Sequence, residues 1–335
     1  MTNNILIIKH GALGDVVRTS YFPKSLKSLD SNQNIFWLTS ISALDLIRYN
    51  PYIDKIVFEI QEIQNIHFDV IYSLDDEIEI LEQLNKLRYN KIIGARIEND
   101  EITYCEESSY WFDMGLVSKL GKDKADHLKK ENKLTHKEIF EKIFDVEEVT
   151  PLFYNSEFLK ENILEKYHIP DNCRLIGVNP YAGKRWAAKE LRTEELYLLL
   201  NELITKAEKH NLCILLFGEG EDYNRNVDLK HSLNVDNSLI LINTNYRLLD
   251  FAAIISNLDL LISSDSLALH LGISNSIETI CFFSPTSASE IEDKNVHKIL
   301  SNHIDYCNYR KDSDNSTITH DRIIRVLLKT NIFDG

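Results

Sequence analysis

The feature that most constrains this chain is a rhythm: short apolar runs, each followed by a polar turn and then a helical pattern. Ile5-Leu6-Ile7-Ile8 begins it. A run apolar at every position, with no alternation, reads as a strand buried on both faces. That is the pattern of a parallel sheet covered by helices. Gly11-Ala12-Leu13-Gly14-Asp15 follows at once, and the spacing predicts a helix over 16–29. Further strands are expected at 34–39, 56–58, 70–72 and 91–94. Helices are expected at 42–49, ended by Asn50-Pro51, and at 78–88. Strands alternating with helices define a doubly wound parallel sheet.

From about 98 to 137 the rhythm breaks into a polar stretch set with Tyr104, Tyr110, Trp111 and Phe112. An excursion of that length is an active-site loop region or a surface insertion. A helix at 139–144 and a polar connection through Pro151 lead to a second series. Strands are expected there at 175–178, 213–217, 239–242, 260–263 and 279–283. Helices are expected at 194–208, 248–256, from 266, and at 318–328. Two α/β, Rossmann-like domains facing across a cleft are therefore expected, with a hinge within 150–172. The first domain would span 1–160 and the second 172–317. Such sheets place ligands beyond the carboxyl ends of their strands.

Charge and cysteine usage exclude several classes. The chain has 37 Lys and Arg against 52 Asp and Glu, a net charge of −15. Residues 1–150 carry 18 of those bases and 26 of the acids, so the charge is spread rather than held in a tail. Such a balance opposes nucleic-acid binding, because phosphate backbones repel it. Cys105, Cys173, Cys213, Cys281 and Cys307 are odd in number and form no close pair, which argues against a disulfide framework or zinc ribbon. Free thiols fit a reducing, cytoplasmic compartment. The N-terminus lacks a signal-peptide pattern. No run approaches the ~20 apolar residues of a membrane span, so any membrane contact is expected to be peripheral.

Four turns carry chemistry, all directly after predicted strands. Gly11-x-x-Gly14-Asp15 lets a ligand approach the backbone, and the following helix start favours negative charge. Asp15 reads as a general base or as an ordinary N-cap. Asn179-Pro180-Tyr181-Ala182-Gly183-Lys184-Arg185-Trp186 sets two cations beside a glycine, suited to phosphate oxygens or to a solvated surface turn. Phe217-Gly218-Glu219-Gly220-Glu221-Asp222 offers carboxylates to ribose hydroxyls. Ser263-Ser264-Asp265-Ser266 opens a helix whose first N–H groups form an anion site. Asp265 or Ser266 could equally cap that helix, and His270 one turn on could be a packed structural residue. Thr286 and Ser287 add hydroxyls to the same edge. Asp75-Asp76 reads as a helix start rather than a magnesium site, and no metal-ligand cluster stands out. Together the turns describe a nucleotide-diphosphate pocket with an acid facing it.

The segments ILIIKHGALGDVVRTS, IGVNPYAGKRW, LLFGEGED and LDLLISSDSLALHLGISNSIETICFFSPTS resemble glycosyltransferase family 9 nearly end to end. The best-known members of that family are the ADP-heptose:lipopolysaccharide heptosyltransferases. The resemblance implies a GT-B fold and a last helix, 318–335, crossing back to the first, acceptor-binding domain. It implies inverting transfer from a nucleotide-diphosphate sugar, ADP-heptose by default, to a glycan acceptor such as lipopolysaccharide core, with no cofactor. Asp15 matches the catalytic base and Lys184 the lysine that neutralises the diphosphate, with Arg185 beside it. Asp265, Ser266 and His270 match the donor-binding motif. Either Glu221 or Glu219 matches the ribose-binding acid. Leu267 and Ala268 replace the family's frequent Gly-Pro. Another GT-B nucleotide-sugar enzyme, an epimerase or hydrolase, and a non-catalytic nucleotide-sugar-binding protein are the alternatives.

Overall fold

The computed structural model describes residues 3–183, 186–235, 238–244 and 247–333. The chain divides into two compact units, Met1–Tyr154 with Ser289–Ile291, and Asn155–Ala288 with Glu292–Gly335.

The first unit is built on β1 (Asn4–Ile8), β2 (Asn34–Leu38), β3 (Lys55–Val57), β4 (His67–Ser73), β5 (Arg88–Glu98) and β6 (Glu101–Tyr104). They lie in the order β3-β2-β1-β4-β5-β6. The first five run parallel, and β6 returns antiparallel to β5 through a turn at Asn99 and Asp100, both with positive φ. Its helices are α1 (Leu13–Thr19), α2 (Phe22–Leu29), α3 (Ile78–Leu81), α4 (Ser109–Phe112), α5 (Lys122–Glu131) and α6 (His136–Phe144). Leu6, Ile8 and Ile71 face one core with α3 and the β5–β6 hairpin. Elsewhere in this unit Phe22 of α2 stacks on Phe144 of α6, with ring centroids 4.7 Å apart.

The second unit carries α7 (Glu157–Lys166), β7 (Arg174–Asn179), α8 (Thr193–His210), β8 (Leu212–Gly218), α9 (Glu221–Leu233) and β9 (Leu239–Asn243). It continues with α10 (Leu248–Ile255), β10 (Leu260–Ser264), α11 (Leu267–Ser274), β11 (Glu278–Phe283), β12 (Val296–Leu300) and α12 (His320–Leu327). All six strands are parallel, in the order β12-β11-β10-β7-β8-β9. Every residue of β8 is buried, as its unbroken apolar run requires. Each unit thus repeats one plan, in which the chain builds outward from its first strand and then returns to that strand's other side. The reversal falls between β1 and β4 in one sheet and between β7 and β10 in the other.

Several expected elements differ. The helix read over 16–29 is two helices. Pro23 lacks an N–H and is tolerated only in a first turn, so α2 starts afresh at Phe22. The helix read over 42–49 is a 3₁₀ segment, Ile41–Leu46. The one read over 78–88 stops early, because Arg88 and Tyr89 pair with His67 and Phe68 of β4; sheet pairing overrides helix propensity there. The stretch read as a hinge contains α7. It is capped by Ser156, whose Oγ accepts from the Leu159 N–H, and is tied to α10 by Lys166 Nζ and Tyr167 Oη, 2.5 and 2.9 Å from the buried Asp250. The closing helix falls in the second unit. α12 packs within the second unit on α8, where Ile323, Ile324 and Leu327 join the core. Glu195 of α8 accepts from the His320 N–H at its start, at 2.7 Å.

Gly94 tests the first sheet most directly. Its φ is +119°, and a Cβ there would stand 1.8 Å from the Ser73 carbonyl oxygen across the β4–β5 ladder. Gly94→Ala should destabilise the first unit by about 3 kcal/mol. This would be read as a lowered urea midpoint in the fluorescence of Trp37 and Trp111; an unchanged midpoint would show that the ladder can yield.

Candidate active site

In the first unit the site grows from the loop between β1 and α1. Lys9, immediately after β1, is buried, and its Nζ lies 2.5 Å from Asp75 Oδ1 beyond the end of β4. The other oxygen of Asp75 accepts the His10 N–H. Asp75 is thus no helix start: α3 begins at Ile78, and this carboxylate pins the loop across the strand reversal. A buried cation without such a partner would be costly. Asp15 and Asp75 together outweigh the burial that works against the charge of Lys9, and its ammonium is held above the ordinary lysine range.

The turn is made differently from its motif. Ala12, not either glycine, takes the left-handed conformation, at φ 54°. Gly11 instead provides closeness, since a Cβ there would stand 3.3 Å from Glu77 Oε1. Gly14 is the second residue of α1. Asp15 follows it inside the first turn and is not the N-cap, a position held by Ala12 without a side-chain bond. The Asp15 carboxylate accepts from Arg18 one turn on. Burial opposes its charge, but Arg18, Lys9 and His136 outweigh that and hold its carboxyl well below the usual carboxylate range. Sequence reading missed all three partners. Lys9 carried a signal, as a lone charge at the end of an apolar strand.

In the second unit the strand ends converge on Asp265, in the turn between β10 and α11. One of its oxygens accepts from both Lys189 Nζ and Thr286 Oγ1, each at 2.7 Å. Lys189 also donates to the Asp265 carbonyl at 3.2 Å and stands 5.5 Å from the Trp186 ring centroid. Burial works against the charge of Asp265, while Lys189 and the buried His270 of α11 favour it, and its carboxyl is lowered to about 2. Ser266 is the N-cap of α11 but makes no cap bond. Its Oγ accepts from Asn179 Nδ2 at 3.0 Å, linking the ends of β7 and β10 across the second reversal. The loop after β7 is fixed by Ser264 Oγ and Asn179 Nδ2, which donate to the Tyr181 carbonyl at 2.6 and 3.1 Å.

Asp265, Ser266, Thr286, Asn179 and, in the same turn of α11, His270 are therefore brought together, with Lys189 as the cation the sequence reading passed over. Lys184 and Arg185 lie outside the described residues. Glu221 is the first residue of α9 behind Gly220, exposed at the end of β8, and Glu219 is exposed beside it. Among the described residues no group of three or more His, Cys, Asp or Glu is placed to hold a metal ion. None of the helices there is long and apolar enough to cross a membrane.

Two α/β units with reversed strand order and polar strand ends make up the two-domain GT-B fold of glycosyltransferases. The chain is similar to the glycosyl transferase family 9 structure from Veillonella parvula, at 15% identity and a TM-score of 0.75 over 98% of both chains. It is similar to ADP-heptose lps heptosyltransferase II of E. coli, at 14% identity and a TM-score of 0.69 over 97% of this chain and 98% of that one. Heptosyltransferase WaaC of E. coli, solved with ADP, matches at 12% identity and 0.64 over 97% and 99%. No family model matches the chain, and no curated protein matches its sequence. The resemblance carried by the four motifs extends to the fold.

Asp265 has an acid signature. Its carboxyl is depressed in the folded chain, so its contribution is full above the unfolded value near 4 and is lost as pH falls towards 2. Lys189→Met removes the partner, and should cost about 1–3 kcal/mol at neutral pH while flattening the slope between pH 4 and 2. Urea unfolding across that range checks both. An unaltered acid slope in Lys189→Met would mean that another group holds the charge.

Proposed function

We propose that this protein is an inverting glycosyltransferase. It moves a sugar from a nucleotide-diphosphate donor, ADP-heptose by family default, to a hydroxyl of a glycan acceptor such as lipopolysaccharide core. The observation that carries the reading is Asp15: an ionised, partly buried carboxylate in the first turn of α1, beside the loop of the first strand reversal, and not engaged in capping its own helix. Asp15 takes the proton of the acceptor hydroxyl, whose oxygen attacks the anomeric carbon. The bond to the diphosphate oxygen breaks, and the electron pair leaves with the phosphate. Lys184, Arg185 and the start of α11 stabilise that charge electrostatically. Asp265, Ser266 and His270 shape the donor site, and Glu221 or Glu219 binds the ribose.

In this reading two cations and a helix start offset the charge that a metal would otherwise offset, and turnover is metal-independent. A cytoplasmic location is supported by five free cysteines. Peripheral contact with an anionic membrane is supported by the segment ahead of and including α5. Leu116 and Leu120 are 83% and 50% exposed there, among the exposed Lys119, Lys122, Lys124 and Lys130, with the exposed Asp123 and Glu131 in the same segment. Leu116→Ser with Leu120→Ser should then abolish flotation with phosphatidylcholine–phosphatidylglycerol vesicles; equal flotation of parent and variant would remove that surface.

Asn is nearly isosteric with Asp but accepts no proton and gives Arg18 and Lys9 no counter-charge. Asp15→Asn should lower transfer by about 10²–10⁴-fold with ADP affinity kept and the melting temperature lowered, and the stability loss is checked separately by urea unfolding. Transfer at the parent rate would reduce Asp15 to a structural residue and return the binding-protein alternative. Lys184→Ala should weaken ADP binding about tenfold or more, because a charge-assisted contact is worth about 1.5–3 kcal/mol. Parent turnover in chelator completes the test of metal independence. Rapid breakdown of ADP-heptose without acceptor would instead favour a hydrolase.

A further inference from the structure

The first unit holds a cavity of about 320 Å³ that none of the residues above accounts for. It opens at the carboxyl edge of the sheet, between the end of β2, the residues that follow β3, and α3. His10, Phe58, Glu59, Gln61, Ile80 and Gln83 line it. His10 precedes Gly11, so the cavity begins where the loop carrying Asp15 begins. Glu77, whose carboxylate lies 3.5 Å from the His10 ring, backs the same wall and is the group that leaves no room for a side chain at Gly11.

The lining combines an apolar platform with groups that both donate and accept. Phe58 and Ile80 provide the first. The Gln61 and Gln83 amides and the His10 imidazole provide the second. That combination suits the C–H faces and hydroxyls of a sugar ring, and the volume falls within the range of small-ligand sites. The charge of the wall is one-sided: among the described residues no Lys or Arg lines it, while Glu59 does and Glu77 lies beside His10. A phosphate or carboxylate would meet carboxylates with no cation to offset them.

We propose that this cavity is a saccharide subsite selective for a neutral, hydroxyl-rich unit, and that it presents the acceptor sugar to the loop of Asp15. The proposal rests on the glycosyltransferase reading and narrows it, since the sugar next to the reacting hydroxyl is then unphosphorylated. It also names specificity residues, Phe58 as the platform and Gln61 as the neutral wall, neither of which is in the reacting machinery.

The test uses the full chain and free sugars, with no donor and no turnover. Saturation-transfer NMR is run with glucose, lactose, maltose and glucose-6-phosphate at low salt, while ADP binding is followed separately by thermal shift. A neutral sugar should bind in the millimolar range, with glucose-6-phosphate about tenfold weaker than glucose. Phe58→Ala should abolish the neutral-sugar signal. Gln61→Lys, a change at an exposed position that leaves the fold intact, should reverse the preference towards glucose-6-phosphate. Silence across all the sugars overturns the proposal. So do equal binding of glucose and its phosphate by the parent, and a preference unmoved by Gln61→Lys. If the sugars bind as expected but ADP does not, the donor reading fails and the cavity stands. If ADP binds and the sugars do not, the cavity alone fails.

Discussion

The structure depends on the reversal of strand order at the centre of each sheet. Where neighbouring strands send their chains to opposite sides, no connection covers their carboxyl ends, and a crevice is left between two loops. Polar groups in such a crevice are desolvated and must be paired. In the first sheet the pairing is ionic, Lys9 with Asp75, and the same carboxylate takes the His10 N–H. In the second sheet it is a hydrogen bond from Asn179 to Ser266, with the Lys189–Asp265 pair beside it. These contacts hold loops that would otherwise be free to wander, and the turns beside Asp15 and at Asp265 are each attached to one of them.

The pairing has a chemical side effect. Arg18 keeps Asp15 ionised, so the carboxylate is ready without losing a proton first, but a carboxylate so stabilised is a weak base. Likewise Lys189 is committed to Asp265. It holds that carboxylate in place. The diphosphate contacts proposed on the preceding loop, Lys184 and Arg185, lie outside the described residues.

The alternation of buried strands and helices was legible because a doubly covered strand has to be apolar throughout, as β8 is from Leu212 to Gly218. What failed was local. Pro23 marks a helix start rather than a position along a longer helix. Arg88 and Tyr89 look helical until β4 claims them. The site motifs were legible as positions, since Asp15, Asp265, Ser266 and His270 sit at the turns or first helical turns expected of them. Their partners were not. Arg18, Lys189 and Asp75 meet their counterparts through side-chain reach and sheet order, which no spacing rule in one sequence records. Even the turn beside Asp15 hid its mechanics, because the left-handed residue is Ala12 rather than a glycine.

The margins of the two sheets matter in another way. An open sheet edge is a row of unpaired N–H and C=O groups that any second chain could extend. Here β3 is only three residues long and begins with the exposed Lys55. On the far side β6 is four residues, folded back in the opposite direction by the turn at Asn99 and Asp100. In the other sheet β12 carries His297 and Lys298, held by Glu278 and Asp293. None of these three margins is a long, flat, apolar strip. Two copies that meet at these three margins must recognise each other through side chains rather than by adding strands, whereas the fourth margin, β9, is the largely apolar run from Leu239 to Asn243.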